Sequence, residues 1–253
     1  MTLAQHLIEL RRRLFFAVLA LIAGMVVAFI ITTPVIELLT EPIRIVADAR
    51  DDERIALMFT TVTSGFDLRM RIAFAIGLLI SAPFWLWQIW AFVMPGLTRK
   101  EMRYTLGFMG AAVPLFFAGT AVAWLVAPHI IELMATFVPE GGTQLLYQYD
   151  VYYDFIFKLL LVVGISFVLP VFLVALNLAG IMSGRDILKG WRVAILTATI
   201  FAAVATPAVE VVSMLLLAAI LIVLFFAAAG VSLLFDRGKR KREEALLPPE
   251  TAA

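Results

Sequence analysis

Two carboxylates stand out by the company they keep. Glu9 lies in His6-Leu7-Ile8-Glu9-Leu10-Arg11-Arg12-Arg13-Leu14, and Glu101 lies in Thr98-Arg99-Lys100-Glu101-Met102-Arg103. Each is an acid set among bases. Such an acid can pair within its own helix, Glu9 with Arg13 at i, i+4 and Glu101 with a neighbouring Lys or Arg, as is common on solvated faces. It can also receive a cationic ligand, because a carboxylate accepts two parallel bonds from an arginine fork. Pattern alone favours the pairing. Other chemistry is scarce. The absence of cysteine excludes disulfides, thiol catalysis and Cys-ligated metals. The two histidines, His6 and His129, lie outside the apolar segments and on opposite sides of them. No HExxH, GxSxG or phosphate-loop pattern occurs, so we expect no enzyme, no metal and no cofactor.

The elements that must position these acids are membrane spans. Of 253 residues, 63% are hydrophobic and only 15% charged, with mean hydropathy +1.00. A soluble domain carries about 25% charge. The composition excludes a disordered chain and an ordinary cytosolic enzyme, and leaves an all-α integral membrane protein. Six spans are expected at Leu14–Ile31, Ile72–Met94, Leu106–Val126, Leu159–Leu178, Val193–Ala205 and Val211–Leu234. They make one domain over residues 1–236, followed by a basic, then polar, disordered tail at 237–253. The first apolar run is too long for a signal-peptide core and no small-residue cleavage site follows it, so no cleavable leader is expected.

Charge sets the orientation. The N-terminal segment, the second and fourth loops and the tail together hold 14 basic and 7 acidic residues, and the opposite side holds 5 basic and 12 acidic ones. The positive-inside rule places both termini in the cytoplasm, as an even number of spans requires. Lys158 stands apart at the edge of the fourth span, where Asp154 at i−4 offers a surface ion pair.

Smaller features refine the picture. Pro83, Pro114 and Pro170 fall inside spans two, three and four, where a proline removes a backbone hydrogen bond and bends the axis. Either they make a curved wall or each kink is local packing. The fifth span has only 13 residues, about 20 Å against a core of about 30 Å. It either thins the bilayer or runs past Arg192, whose side chain then snorkels. Leu3, Leu7, Leu10 and Leu14 form a stripe on a helix lying at the cytoplasmic surface. Ile130, Leu133, Met134 and Phe137 form another on the far side, stopped by Pro139 and Gly141-Gly142. Ser64 and Asp67 have capping-box spacing, and Asp150 stands where it can cap the fourth span. Gln88, Asn177 and Ser166 are the main polar groups within spans, with helix–helix hydrogen bonding as their default role.

At these residues the chain resembles TatC, the large subunit of the twin-arginine protein translocase. His6–Leu14 matches the family's HLxELRxRL opening. Ser81-Ala82-Pro83, Gln88–Leu97 and Glu101 match the end of the second span and the first cytoplasmic loop. Pro42 in the first periplasmic loop, Gly164–Phe167 with Pro170 in the fourth span, and Thr206-Pro207 with Glu210 before the sixth match three further positions. The resemblance covers nearly the whole chain. It implies six spans in a curved, glove-like bundle, both termini inside, in the bacterial cytoplasmic membrane.

It also implies a function: the receptor core that binds twin-arginine signal peptides of folded cargo proteins and assembles with the single-span TatA and TatB proteins, driven by the proton-motive force. Carried over by position, Glu9 and Glu101 receive the two arginines, which reverses the preference drawn from pattern alone. Phe92 and Leu97 line the same patch, and Arg11 and Arg13 shape the N-terminal helix or engage the peptide. Pro42, Gln88, Ser166 and Glu210 are candidate partner contacts. Self-association and contact with membrane lipid are expected, with no nucleic-acid partner. The chain departs from the family string SFExP, having Val168 in place of the acid. The alternatives are a small-solute transporter, a membrane-embedded enzyme and a helix-organising scaffold. The spans hold no Asp, Glu, Arg or His at mid-depth and show no inverted repeat, which disfavours the transporter. The missing chemistry disfavours the enzyme.

Overall fold

The computed structural model describes residues 3–50, 56–59, 61–93, 99–137, 146–178, 180–205 and 211–246. Its helices are α1 (Leu3–Ile30), α2 (Thr32–Arg50), α3 (Ser64–Ile80), α4 (Ala82–Val93), α5 (Arg99–Thr136), α6 (Tyr149–Leu178), α7 (Gly184–Lys189), α8 (Trp191–Ala205) and α9 (Val211–Leu246). Two three-residue strands, β1 (Ala56–Met58) and β2 (Leu146–Gln148), pair in parallel with Ala56 opposite Leu146. Two compact units result: Met1–Leu97 with Val113–Ile165, and Thr98–Ala112 with Ser166–Ala253.

The expected helical membrane architecture is present. Within α1, α5, α6 and α9, the segments Ala4–Ile30, Gly107–Met134, Tyr149–Leu178 and Met214–Lys239 are long and apolar enough to cross a membrane. The α3–α4 pair qualifies as one broken span, bent by 56°. The remaining element, α8, is as short as its sequence indicates: 15 residues, or about 22 Å at 1.5 Å per residue. It begins at Trp191, so it passes Arg192 by one residue.

The first unit is built on α1 and α3, which lie antiparallel and touch backbone to backbone. A Cβ on Gly24 would stand 2.6 Å from the Gly77 carbonyl oxygen, and one on Gly77 would stand 2.6 Å from the Met25 nitrogen. Only paired glycines permit this approach. The expected Pro83 kink falls at Ser81, between α3 and α4. Across the bend the Leu78 carbonyl accepts from the Trp85 indole nitrogen at 2.9 Å and from Ser81 Oγ at 3.3 Å. Pro114, Pro128 and Pro170, by contrast, sit inside helices that run on through them.

At the α2 end of this unit a cross-braced cluster joins three elements, α2, α3 and α6. Arg71 binds Asp67 Oδ2 through Nε at 2.7 Å and Asp154 through Nη1 at 3.1 Å. The Tyr149 hydroxyl donates to Asp67 Oδ2 at 2.9 Å, and the Tyr152 hydroxyl to the Leu39 carbonyl at 2.7 Å. Tyr153 and Thr40 share a hydroxyl–hydroxyl bond of 3.0 Å. Two expectations are corrected here. The Ser64–Asp67 capping box does not form: Thr63 is the N-cap without a side-chain bond, because the Asp67 carboxylate is taken by a guanidinium, a stronger donor than a backbone amide. Asp154 likewise pairs with Arg71 rather than with Lys158, which makes no ion pair among the described residues. Asp150 lies inside the first turn of α6, not ahead of it. The Ile130 stripe belongs to α5, with Ile130 buried and Phe137 exposed just past its end. Pro139, Gly141 and Gly142 lie outside the described residues.

In the second unit α9 packs on α8 and α7. Ser183 caps α7 in a reciprocal box with Asp186. Gly184 lies against α9 so closely that a Cβ would stand 2.7 Å from the Leu233 nitrogen. The basic stretch after Phe235, expected as an irregular tail, continues α9 to Leu246. Its Lys, Arg, Glu, Ala and Leu are all good helix formers. The last seven residues lie outside the described ones.

Candidate functional site

The structure opens a groove of about 740 Å³ between the N-terminal turns of α1 and the middle of α4, lined by Gln5, Ile8, Glu9, Arg12, Arg13, Phe16, Trp87 and Gln88. The polar liners of α1 follow a helical stripe, 5-9-12 ending on Phe16, that lies beside the leucine stripe. The leucines face outward: Leu7, Leu10 and Leu14 are all exposed. The N-terminal segment is therefore not a separate element but the start of the 28-residue α1, with one face apolar and the neighbouring face polar.

Glu9 sits at the groove's edge and is already occupied. Arg13 binds its Oε1 through Nε at 3.0 Å and through Nη2 at 2.5 Å. Both side chains are about four-fifths buried. The intrahelical pairing that pattern favoured is thus formed, and it also shows that this carboxylate accepts a guanidinium. Arg12 lies over the Phe16 ring at 5.9 Å, leaving its charge at the groove. Gln88, expected among partner contacts, stands in this groove. Phe92, expected in the same patch, stacks on His6 with ring centroids 4.3 Å apart and so ties the end of α4 to α1. Arg11 is exposed on α1.

The other expected residues lie elsewhere. Glu101 is in the first turn of α5, and its side chain falls outside the described ones, as do residues Leu97 and Glu210. Pro42 is fully buried within α2. Ser166 is fully buried and lines an apolar cavity of about 530 Å³ with Pro170, Thr197, Phe201 and Phe225. Val168 is also buried. Sequence reading missed His6, Arg12, Phe16 and Trp87. The signal for Arg12 and Phe16 was the second α1 stripe, for His6 its place at the head of the motif that holds Glu9, and for Trp87 its place beside Gln88 on a helix redirected by Pro83. Among the described residues no group of acids and histidines could hold a metal ion.

Comparison with known proteins bears on the whole chain. The family described as "Sec-independent protein translocase protein (TatC)" matches residues 5–219. A Sec-independent protein translocase protein TatC from Xylanimonas cellulosilytica is 43% identical over 96% of this chain and 87% of its own length. One from Synechocystis is 35% identical over 83% and 79%. Two crystal structures of the twin-arginine translocase receptor TatC, one of them in DDM, superpose with TM-scores of 0.73 and 0.75 at 26% identity. Each covers 90% of this chain, and the chain covers 98% and 99% of theirs. With its apolar helices, its groove beside the HLxELRxRL segment and a family match spanning most of its length, this chain belongs to the TatC family and is a multi-pass membrane component of a Sec-independent protein translocase.

Proposed function

We propose that the chain is the receptor of the translocase: it binds the paired arginines of signal peptides on folded cargo and gathers TatA and TatB around it. The observation that carries the reading is the Glu9 carboxylate, largely sheltered at a groove edge and holding a guanidinium through two nitrogens. An incoming arginine replaces Arg13 on the same oxygens, and Glu101 takes the second arginine. Phe92, Trp87 and Phe16 supply apolar and aromatic surface for the residues that follow the pair, with Leu97 extending it and Arg11 on the same helix. Glu210, Ser166 and Pro42 remain candidate contacts for partner helices. The charge bias supports a cytoplasmic position for this groove and for both termini at the bacterial plasma membrane.

The test is binding of a fluorescent twin-arginine signal peptide to the purified protein in nanodiscs, with a twin-lysine peptide as reference. Glu9→Gln and Glu101→Gln are each expected to weaken the twin-arginine peptide about thirtyfold, equivalent to roughly 2 kcal/mol. Wild-type affinity in both variants would remove these acids from the site, and equal binding of the two peptides would remove the function.

A further inference from the structure

The second unit carries a cleft of about 270 Å³ lined by Ser183, Arg185, Leu233, Asp236 and Arg237. Arg185 comes from α7 and Arg237 from α9. Both are exposed, and among the described residues neither forms an ion pair. Asp236 offsets one of the two positive charges and leaves the cleft net positive, and its oxygens are bonded to neutral donors rather than to either guanidinium. Oδ1 accepts from Asn177 Nδ2 at 2.9 Å, and Oδ2 accepts from the Gly184 amide at 2.6 Å. Asn177 also donates to the Met182 carbonyl at 3.0 Å. The carboxylate thereby fastens the α6–α7 connection to α9, and the close approach of Gly184 to the α9 backbone holds the two elements together beside the cleft. What faces outward is two guanidinium groups on a fixed base.

The surroundings place this cleft at a membrane surface. The apolar run of α9 ends at Phe235, and charge begins at Asp236. The next helix to begin here, α8, opens with Trp191, whose ring lies 5.4 Å from the Arg192 guanidinium carbon. Ile181, Leu188, Trp191, Leu234 and Phe235 are all exposed. Aromatic, aliphatic and basic side chains at one level are the profile of the headgroup boundary. A soluble anion would use the arginines and leave the apolar rim wet, whereas a lipid uses both.

We propose that this cleft binds the phosphate of an anionic phospholipid, with Arg185 and Arg237 on its oxygens and Leu188, Leu234 and Phe235 against its glycerol and upper acyl chains. The site is independent of the peptide groove and of the reading given to it. Native mass spectrometry of the full chain released from nanodiscs of mixed phosphatidylglycerol and phosphatidylcholine tests it. The wild type is expected to retain phosphatidylglycerol preferentially. The Arg185→Gln/Arg237→Gln double variant is expected to lower that preference roughly 25-fold, about fivefold for each arginine near a surface. Arg185→Lys/Arg237→Lys, which keeps the charge, should retain most of it and shows that loss in the glutamine variant is not misfolding. Arg44→Gln, on an exposed arginine of α2, should leave it unchanged. An unaltered preference in the glutamine variant overturns the proposal. So does an equal loss in Arg44→Gln, which would mean diffuse attraction, or displacement of the lipid by millimolar inorganic phosphate, which would mean a site for a free anion.

Discussion

The two ends of the first unit treat charge in opposite ways. At the α2 end Arg71 lies between Asp67 and Asp154, two carboxylates from different helices, and three tyrosine hydroxyls complete bonds to other elements. At the other end Glu9 is answered from its own helix, one turn on, and the arginine beside that pair faces an open groove. A charge paired across elements holds the fold together. A charge paired within one helix holds nothing but its partner, so it can be given up to a ligand without loosening the structure. The braced end is built to stay, and the groove end is built to exchange.

The seam between the ends gives the most severe test. Gly24→Leu forces α1 off α3, since its Cβ meets the Gly77 carbonyl. It is expected to destabilise by about 3 kcal/mol, read as thermal unfolding in detergent. Both ends should fail together, and a normal melting curve would show that the contact is not rigid. Next comes the direct contrast. Arg71→Ala strands two carboxylates and should remove about 1 kcal/mol, since the groups remain partly exposed. Glu9→Gln should change stability by less than about 0.5 kcal/mol. Equal losses would erase the distinction between the ends.

A smaller effect sharpens it. If Arg13 stands in for a peptide arginine, Arg13→Gln frees Glu9 and should tighten the twin-arginine peptide by about twofold, in keeping with the modest strength of an i, i+4 pair. Weaker binding would instead make Arg13 part of the receptor surface. The smallest effect concerns another local pair, in the second unit. Asp186 is held below the usual carboxylate value of 3.8, chiefly by the Ser183 hydroxyl and then by its backbone amide. A carboxyl depressed on folding contributes stability that is present above the ordinary value and lost as pH falls through the lower one. An NMR titration should find Asp186 ionising below 3.8 and moving back up in Ser183→Ala.

Much of this was readable from the chain. The apolar runs located the helices, Pro83 located the break in the second span, and the basic surroundings of Glu9 drew attention to a residue that does line a groove. The limits were physical. The i, i+4 rule offered Asp154 both Lys158 and, from afar, nothing; its true partner Arg71 is 83 residues away, and only the antiparallel return of the chain brings them together. The capping-box spacing at Ser64 was outbid by the same guanidinium. The leucine stripe was visible because hydrophobic periodicity is a strong signal. The polar stripe next to it, which forms the groove, was hidden because polar residues on a helix are by default solvated.

The elbow at Ser81 has a geometric consequence. Gln88 lies seven residues beyond it, a lever arm of roughly 10 Å at 1.5 Å per residue. Swinging that arm through the observed 56° displaces its tip by about 10 Å. In an unbroken second span, Trp87 and Gln88 would sit a full helix diameter from where they now stand, and the face of α1 that carries Glu9 would have no second wall opposite it.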